Sequence, residues 1–386
     1  WLPLGGYVKI AGMIDESMDK EQMAKPPKSW EFRSKPSWQR LIVMLGGVTI
    51  NFILAIIIYI GLAYSYGSSS ISLDSIDDGF VITNPILTEA GFKTGDKIIT
   101  VDGEELETYS DLRKSIIGST YYQVERDGNI FEIQLPVDFL GKLSSSEDMS
   151  SFEFRMPFII QSVSEESLNK EYDIRQGDRI VSVNGQETKY VDQLVPLLEQ
   201  NSNRTIEVEL LRDSFRIKKT LNVNEDGKLG IMHGATVQNM VDLGLMKVSN
   251  NSYSFLQSIG VGTNNFVSFM GFYFDQLVAI FNPSTGAYKG LGGFIAIGNI
   301  FPSTWDWQSF WNTTALLSVM LGVLNLLPIP ALDGGHAMFL VYEMVSGRKP
   351  SDKFMETVQV IGFLILLALV IFANGNDIYK LFNFIV

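Results

Sequence analysis

Charged side chains are missing from three long stretches of this chain. Residues 41–66 and 307–332 each run 26 residues without one, and 357–376 runs 20. About 20 apolar residues in a helix span the roughly 30 Å of a bilayer's hydrocarbon core, so each stretch predicts a membrane-crossing helix. A weaker stripe of Phe255, Ile259, Phe266, Met270, Tyr273 and Leu277 runs through 250–281, mixed with Ser, Asn and Gly. It predicts an amphipathic helix lying in the membrane interface rather than a fourth crossing. At the start of the chain, Leu2, Leu4, Tyr7, Val8 and Ile10 alternate around Gly5-Gly6, a pattern for a short hairpin or loop. Residues 15–35 are polar, contain Pro26-Pro27 and read as a surface loop.

Between 67 and 232 the pattern becomes that of a water-soluble region, and it repeats. KTGDKIITVDG at 93–103 recurs as RQGDRIVSVNG at 175–185, an offset of 82 residues. Each copy places a Gly-Asp turn before a β-branched strand and closes with an Asp-Gly or Asn-Gly hairpin turn. A helix follows each copy, at 109–117 and 191–198, and alternating strands such as 205–211 come next. The offset is the size of one small domain, so two α+β domains are inserted between the membrane segments.

Charge fixes an orientation. Lys25, Lys28, Arg33, Lys35 and Arg40 precede the first span, and Arg348, Lys349 and Lys353 lie between the last two. The positive-inside rule puts the first cluster in the cytoplasm. The chain then leaves through 41–66, returns through 307–332 and leaves again through 357–376, which brings the second cluster to the same side. The inserted domains fall outside. The formal net charge of −13 argues against a nucleic-acid partner, which requires a clustered basic surface. With no cysteine, disulfides and thiolate metal sites are excluded.

The candidate chemistry lies in NLLPIPALDGGH, Asn325 to His336. Asp333 closes an apolar run, where a carboxylate is costly and points to function. Pro328 and Pro330 cannot continue a regular helix, and opened backbone at membrane depth must line a cavity or meet a partner. The plain alternative is a helix that ends at the membrane surface, with Asp333 as a turn residue. Asn51, an amide within the first span, reads either as interhelical hydrogen bonding or as part of a site. Asp333 and His336 stand three residues apart and share a helix face, a spacing open to two metal ligands. His233 reads as a surface residue.

Asn325, Pro328, Leu332, Asp333 and Gly334 reproduce the pattern N-x-x-P-x-x-x-L-D-G, and here the chain resembles the site-2 protease family of intramembrane zinc metalloproteases, in its sigma-E-protease branch. The resemblance implies Zn2+ as cofactor, with Asp333 as its third protein ligand and His336 outside the set. The other two ligands belong to an HExxH helix whose Glu is the general base. No HExxH occurs in this sequence, whose histidines are His233 and His336; the expectation is a helix upstream of Trp1. Leu4, Gly5, Gly6, Tyr7 and Val8 are similar to the family's membrane-reentrant β-loop, which offers an edge strand to an extended substrate. GGVTINFILA resembles the family's G-P-x-x-N-F-x-x-A with Val48 for Pro, and GLGGFIAIG resembles its S-G-P-I segment with Phe294 for Pro, the plain reading of the latter being a flexible connector. The repeats resemble tandem PDZ domains, which either capture peptide tails or act as a spacer or size filter.

The expected fold class is therefore a multi-pass α-helical membrane protein with a reentrant β-loop and two inserted PDZ-like domains. Its expected parts are the β-loop and cytoplasmic loop (1–40), a span (41–66), two PDZ-like domains (67–155 and 156–232), a linker with the interfacial helix (233–306), and the membrane core with the LDG span and the final span (307–386). The implied function is intramembrane cleavage of single-pass membrane proteins, such as anti-sigma factors and signal-peptide remnants. Its setting is the bilayer of the bacterial inner membrane, with the PDZ-like domains on the periplasmic side. Asn325 would hold the unwound substrate or the oxyanion, and Leu4 to Val8, Asn51, Asn325 and Pro328 would line the substrate. A non-catalytic membrane-anchored PDZ adaptor that binds extracytoplasmic tails is the alternative.

Overall fold

The computed structural model describes residues 10–12, 26–146 and 150–383; Leu4, Gly5, Gly6, Tyr7 and Val8 lie outside them. The chain divides into two units. Trp1–Gly67, Ser252–Leu277 and Leu291–Val386 form the first, and Ser68–Asn251 with Val278–Gly290 the second.

In chain order, helix α1 (Ser37–Tyr66) is followed by strands β1 (Ser68–Ile71) and β2 (Phe80–Val81) and helix α2 (Pro85–Ala90). Next come β3 (Lys97–Val101), α3 (Tyr109–Ser115), β4 (Tyr121–Arg126), β5 (Asn129–Gln134), α4 (Phe139–Ser145) and β6 (Glu153–Phe154). Then follow β7 (Ile160–Val163), β8 (Arg179–Val183), β9 (Gln186–Glu187), α5 (Val191–Gln200), β10 (Thr205–Arg212), β11 (Phe215–Asn222), β12 (Ile231–His233), α6 (Val237–Asp242) and β13 (Val248–Asn251). The chain closes with α7 (Phe255–Phe281), α8 (Phe294–Gly298), α9 (Trp307–Leu326), α10 (Asp333–Ser346) and α11 (Asp352–Asn383).

The second unit holds two cores, and the sequence repeat appears as one build used twice. Leu87, Phe92, Leu112, Tyr122 and Phe152 lie in the first core, and Ile160, Ile180, Leu194, Val208 and Leu221 in the second. In each module the Gly-Asp turn pairs with a short strand. Phe80 donates its amide to the Asp96 carbonyl and accepts from the Gly95 amide, and Ile160 does the same with Asp178 and Gly177. The aspartate of each turn is buried. Asp96 accepts from the Lys93 amide and from Arg126, and Asp178 from the Arg175 amide and from Arg212. Asp102-Gly103 and Asn184-Gly185 have positive φ at both positions, as the tight hairpin turn demands. Arg155 and Asp192, together with Asp78, Lys189 and Tyr190, form a polar seam between the two cores. Burial alone would raise the Asp78 carboxyl, but bonds from Lys189 and Tyr190 and the charges of Lys189 and Arg155 hold it below its usual range.

The first unit is helical. Among the described residues three helices are long and apolar enough to cross a membrane: Ser37–Tyr66, Trp307–Leu326 and Lys353–Phe382. Helix α9 runs antiparallel to α1. Ala315 packs with Ile58 and Leu62, Val319 with Ala55, and Gly322 against the Phe52 ring, where a Cβ would collide with it. The Ser318 hydroxyl donates to the Asn51 carbonyl at 2.8 Å.

The opening expected at Pro328 and Pro330 is met, and the expectation for α7 changes. The run 307–332 is not one helix: α9 stops at Leu326, Leu327 turns extended (ψ 142°), and α10 begins at Asp333. Pro328 compels the stop, since the residue before proline is forced out of the helical region. The stripe of α7 is also not turned to a membrane surface alone. Phe266, Met270, Tyr273 and Leu277 pack with Phe52, Ala55, Tyr59 and Val319, and the Phe255 and Phe266 rings meet Tyr64 and Phe52 edge-on.

Candidate metal centre

The break between α9 and α10 is compact. The Ile329 amide donates to the Leu327 carbonyl at 2.7 Å and the Leu332 amide to the Ile329 carbonyl at 3.0 Å. Ala331 has φ 82°, a region that costs a residue with a Cβ. The two glycines after Asp333 are there for close approach. A Cβ on Gly334 would collide with the Leu326 and Leu327 carbonyls, and one on Gly335 with the Ile329 carbonyl. From the other side Gly362 of α11 lies against the Pro330 carbonyl with no room for a side chain. The first turn of α10 is thus wedged onto the end of α9, and α11 closes the break.

The depth of the break follows from contacts with α1. Gly322 lies opposite Phe52, and Glu343 bonds to Arg40 at 2.5 Å. Helix α10 therefore continues the course of α9 down the same side of α1. From Phe52 to Arg40 is twelve residues, about 18 Å of helix, and Asp333 stands near the middle of that interval. Asp333 is within the helical bundle rather than beyond its end. The facing level of α1 is near Gly46 and Gly47, where an added Cβ would meet nothing within 4 Å.

Asp333 is half-buried at the first position of α10. Among the described residues no hydrogen bond engages its carboxylate. The same holds for the side chain of Asn325, half-buried on the last turn of α9. Pro328 is exposed at the break. All three lie at the break: Asn325 in the last turn before it, Pro328 within it and Asp333 at the head of the helix that follows. Asn51 lies farther along α1: its carbonyl serves Ser318, seven residues or about 10 Å before Asn325 on α9. The interhelical bond at that level is thus carried by the Asn51 backbone and a serine, not by the Asn51 amide. His336 is half-buried one turn into α10, and His233 is exposed on β12 with its ring 4.3 Å from that of Phe158.

Sequence reasoning missed a second polar assembly. Asp377 of α11 accepts from the Ile295 and Ala296 amides at 3.0 and 3.1 Å, and Asn374 from the Phe294 amide at 3.2 Å. Asn376 donates to the Leu291 carbonyl at 2.7 Å. The glycine-rich stretch before α9 is therefore a docked segment, not a loose connector. Asp377 breaking an apolar run was the signal that could have found it.

A model of Peptidase family M50 matches residues 1–369. The chain belongs to peptidase family M50. It is a zinc-dependent metalloprotease of the site-2 protease family. The Regulator of sigma E protease of Haemophilus influenzae is 28% identical over 98% of this chain and 86% of its own length. A Rickettsia conorii protein provisionally named a zinc metalloprotease is 26% identical over 99% of this chain and 84% of its own length. A Staphylococcus aureus protein with the same kind of name is 26% identical over 92% of this chain and 63% of its own length.

Relatives named as zinc metalloproteases imply zinc as the metal of this chain. Asp333 fits it: a carboxylate oxygen is an ordinary zinc donor, and this one is half-buried and accepts no hydrogen bond among the described residues. It would supply one ligand of the three or more that a catalytic zinc requires; the described residues hold no cluster of three ligating side chains.

Proposed function

We propose that this M50 chain cleaves transmembrane segments of single-pass membrane proteins, with anti-sigma factors and signal-peptide remnants as the substrate classes, and that Asp333 holds the catalytic zinc. The observation that carries the reading is a half-buried carboxylate that accepts no hydrogen bond among the described residues, at a break inside an apolar bundle. Zinc, when bound, supplies a Lewis acid and a water activated for attack. Around it the chain's own groups have separate tasks. Wedging of Gly334 and Gly335 onto the α9 carbonyls fixes the carboxylate against the rest of the fold. A helical substrate shields its peptide bonds by internal hydrogen bonding, and unwinding it in lipid exposes polar groups at a cost of several kcal/mol each. The Asn325 amide, with both donors and an acceptor, would take up such groups from the last turn of α9. Leu4 to Val8 would add an edge strand.

In this reading the chain is a multi-pass protein of the bacterial inner membrane, with the basic residues around Arg40 and Arg348 in the cytoplasm. The two modules of the second unit are PDZ-like, face the periplasm, and screen or capture the tails of substrates. Their common build around a buried Gly-Asp turn supports the PDZ-like reading.

Substituting Asp333→Asn in the full protein tests the proposal. It should abolish cleavage of a tagged single-pass substrate and reduce bound zinc, with the thermal midpoint in detergent unchanged. Full activity with stoichiometric zinc would sink it.

A further inference from the structure

The carboxylate at the head of α10 is fixed at the near end by glycine wedging, but the helix is only 14 residues long and turns Met338, Val341, Tyr342 and Val345 outward. Its far end is held by a different device. Arg40 is buried in the first turns of α1, and its guanidinium donates to Glu343 in the last turn of α10 at 2.5 Å and to the Lys35 carbonyl at 3.0 Å. The two side chains are 10% and 17% exposed, so the pair is largely removed from water.

Both residues stand at the wrong ends of their helices. A cation at a helix N-terminus and an anion at a C-terminus each oppose the helix dipole. Neither placement is favourable alone, and each is accounted for by the other. The partners lie 303 residues apart in sequence and join the start of the first span to the end of the helix that carries Asp333.

We propose that Arg40 and Glu343 are positioning residues for the reaction: their ion pair sets the tilt of α10 and so the placement of Asp333. This rests on the reading of Asp333 as a zinc ligand. Asp333 lies ten residues, about 15 Å, from Glu343. With the pair removed, α10 pivots about the wedge at Gly334 and Gly335; its far end swings, and the Asp333 carboxylate beside the pivot turns through the same angle. A catalytic group must be held to within about 10–20° of its productive direction, and misalignment at a reacting centre lowers rate by up to about 100-fold. Neither residue touches the substrate, so turnover should fall while substrate binding holds.

The test uses the full protein with Arg40→Gln, Glu343→Gln, and the exchange Arg40→Glu with Glu343→Arg, which retains Lys25, Lys28, Arg33 and Lys35 as the basic cluster. Each single variant should lower kcat by about 10- to 100-fold with KM within about twofold, and should speed zinc release to a chelator. The exchange should recover kcat and zinc retention to within about threefold of the parent protein, as expected for partners in one interaction. Singles with parental kcat and zinc release, or an exchange no better than the singles, would overturn the proposal. Should a single variant fail to accumulate folded, Arg40→Lys replaces it; parental turnover there would overturn the proposal, and an intermediate loss would uphold it. Asp333→Asn is measured alongside. Zinc retained by that variant condemns the Asp333 reading by itself, whereas zinc lost there but insensitive to Arg40 and Glu343 condemns only the pair.

Discussion

Asp333 and Gly334 illustrate what a residue type can and cannot disclose. An acid after an uncharged run, preceded by two prolines, marks itself in the sequence, because burial of a carboxylate needs a reason. The role of the glycines was only half visible. Their freedom of backbone was expected, but what they provide is contact with the Leu326, Leu327 and Ile329 carbonyls, which depends on how two helices meet. Gly334→Ala should therefore destabilise the helical unit by about 1–3 kcal/mol and reduce turnover at least tenfold, measured by thermal unfolding in detergent and by substrate cleavage. Gly61→Ala on α1, where a Cβ meets nothing within 4 Å, is the control and should change neither. Equal, small effects of the two substitutions would contradict the wedge. The Ser318 bond to the Asn51 carbonyl lay beyond sequence reasoning, since its partners are 267 positions apart and serine is common in apolar helices.

At the scale of elements, long uncharged runs gave the positions of α1, α9 and α11 because length and apolarity are what a crossing helix needs. Apolarity alone did not mark the break within 307–332, but Pro328 and Pro330 did; what stayed hidden was that a new helix starts at Asp333, wedged back onto the Leu326 and Leu327 carbonyls. The stripe on α7 was read correctly as a helical face, but its partners were not, because lipid and neighbouring helices select the same side chains. In the second unit the repeat showed two domains, while the buried pairs Asp96–Arg126 and Asp178–Arg212 could not be read from it: the arginines lie on other strands, 30 and 34 residues further along the chain. Asp178 and Asp173 both titrate below the usual carboxylate range. For Asp178 burial works against this and is outweighed by bonds from Arg212 and the Arg175 amide. For Asp173, bonds from Arg212 and Arg175 bring it to about 2. Depressed folded-state values mean stability that is present above about pH 4 and lost as pH falls toward 2. Arg212→Leu should lower the stability of the second module by about 3–5 kcal/mol at pH 7, as breaking a buried pair does, and the difference from the parent should shrink between pH 4 and pH 2. Hydrogen exchange of the β10 amides measures it; a deficit independent of pH would mean that packing, not charge, is responsible.

For the whole molecule, the central claim is that the carboxylate at the helix break holds zinc in the intact membrane protein. Family membership establishes the class of enzyme, and the fold holds a half-buried carboxylate that accepts no hydrogen bond among the described residues. Direct evidence would come from the metal's own coordination shell. Because the chain has no cysteine, Asp333→Cys offers a spectroscopic mark: a thiolate binds zinc at about 2.3 Å, against about 2.0–2.2 Å for nitrogen and oxygen ligands. X-ray absorption at the zinc edge of the full protein should show only nitrogen and oxygen neighbours in the parent and one sulfur neighbour at about 2.3 Å in the variant. Zinc bound in the variant with an unchanged, sulfur-free shell would contradict the account.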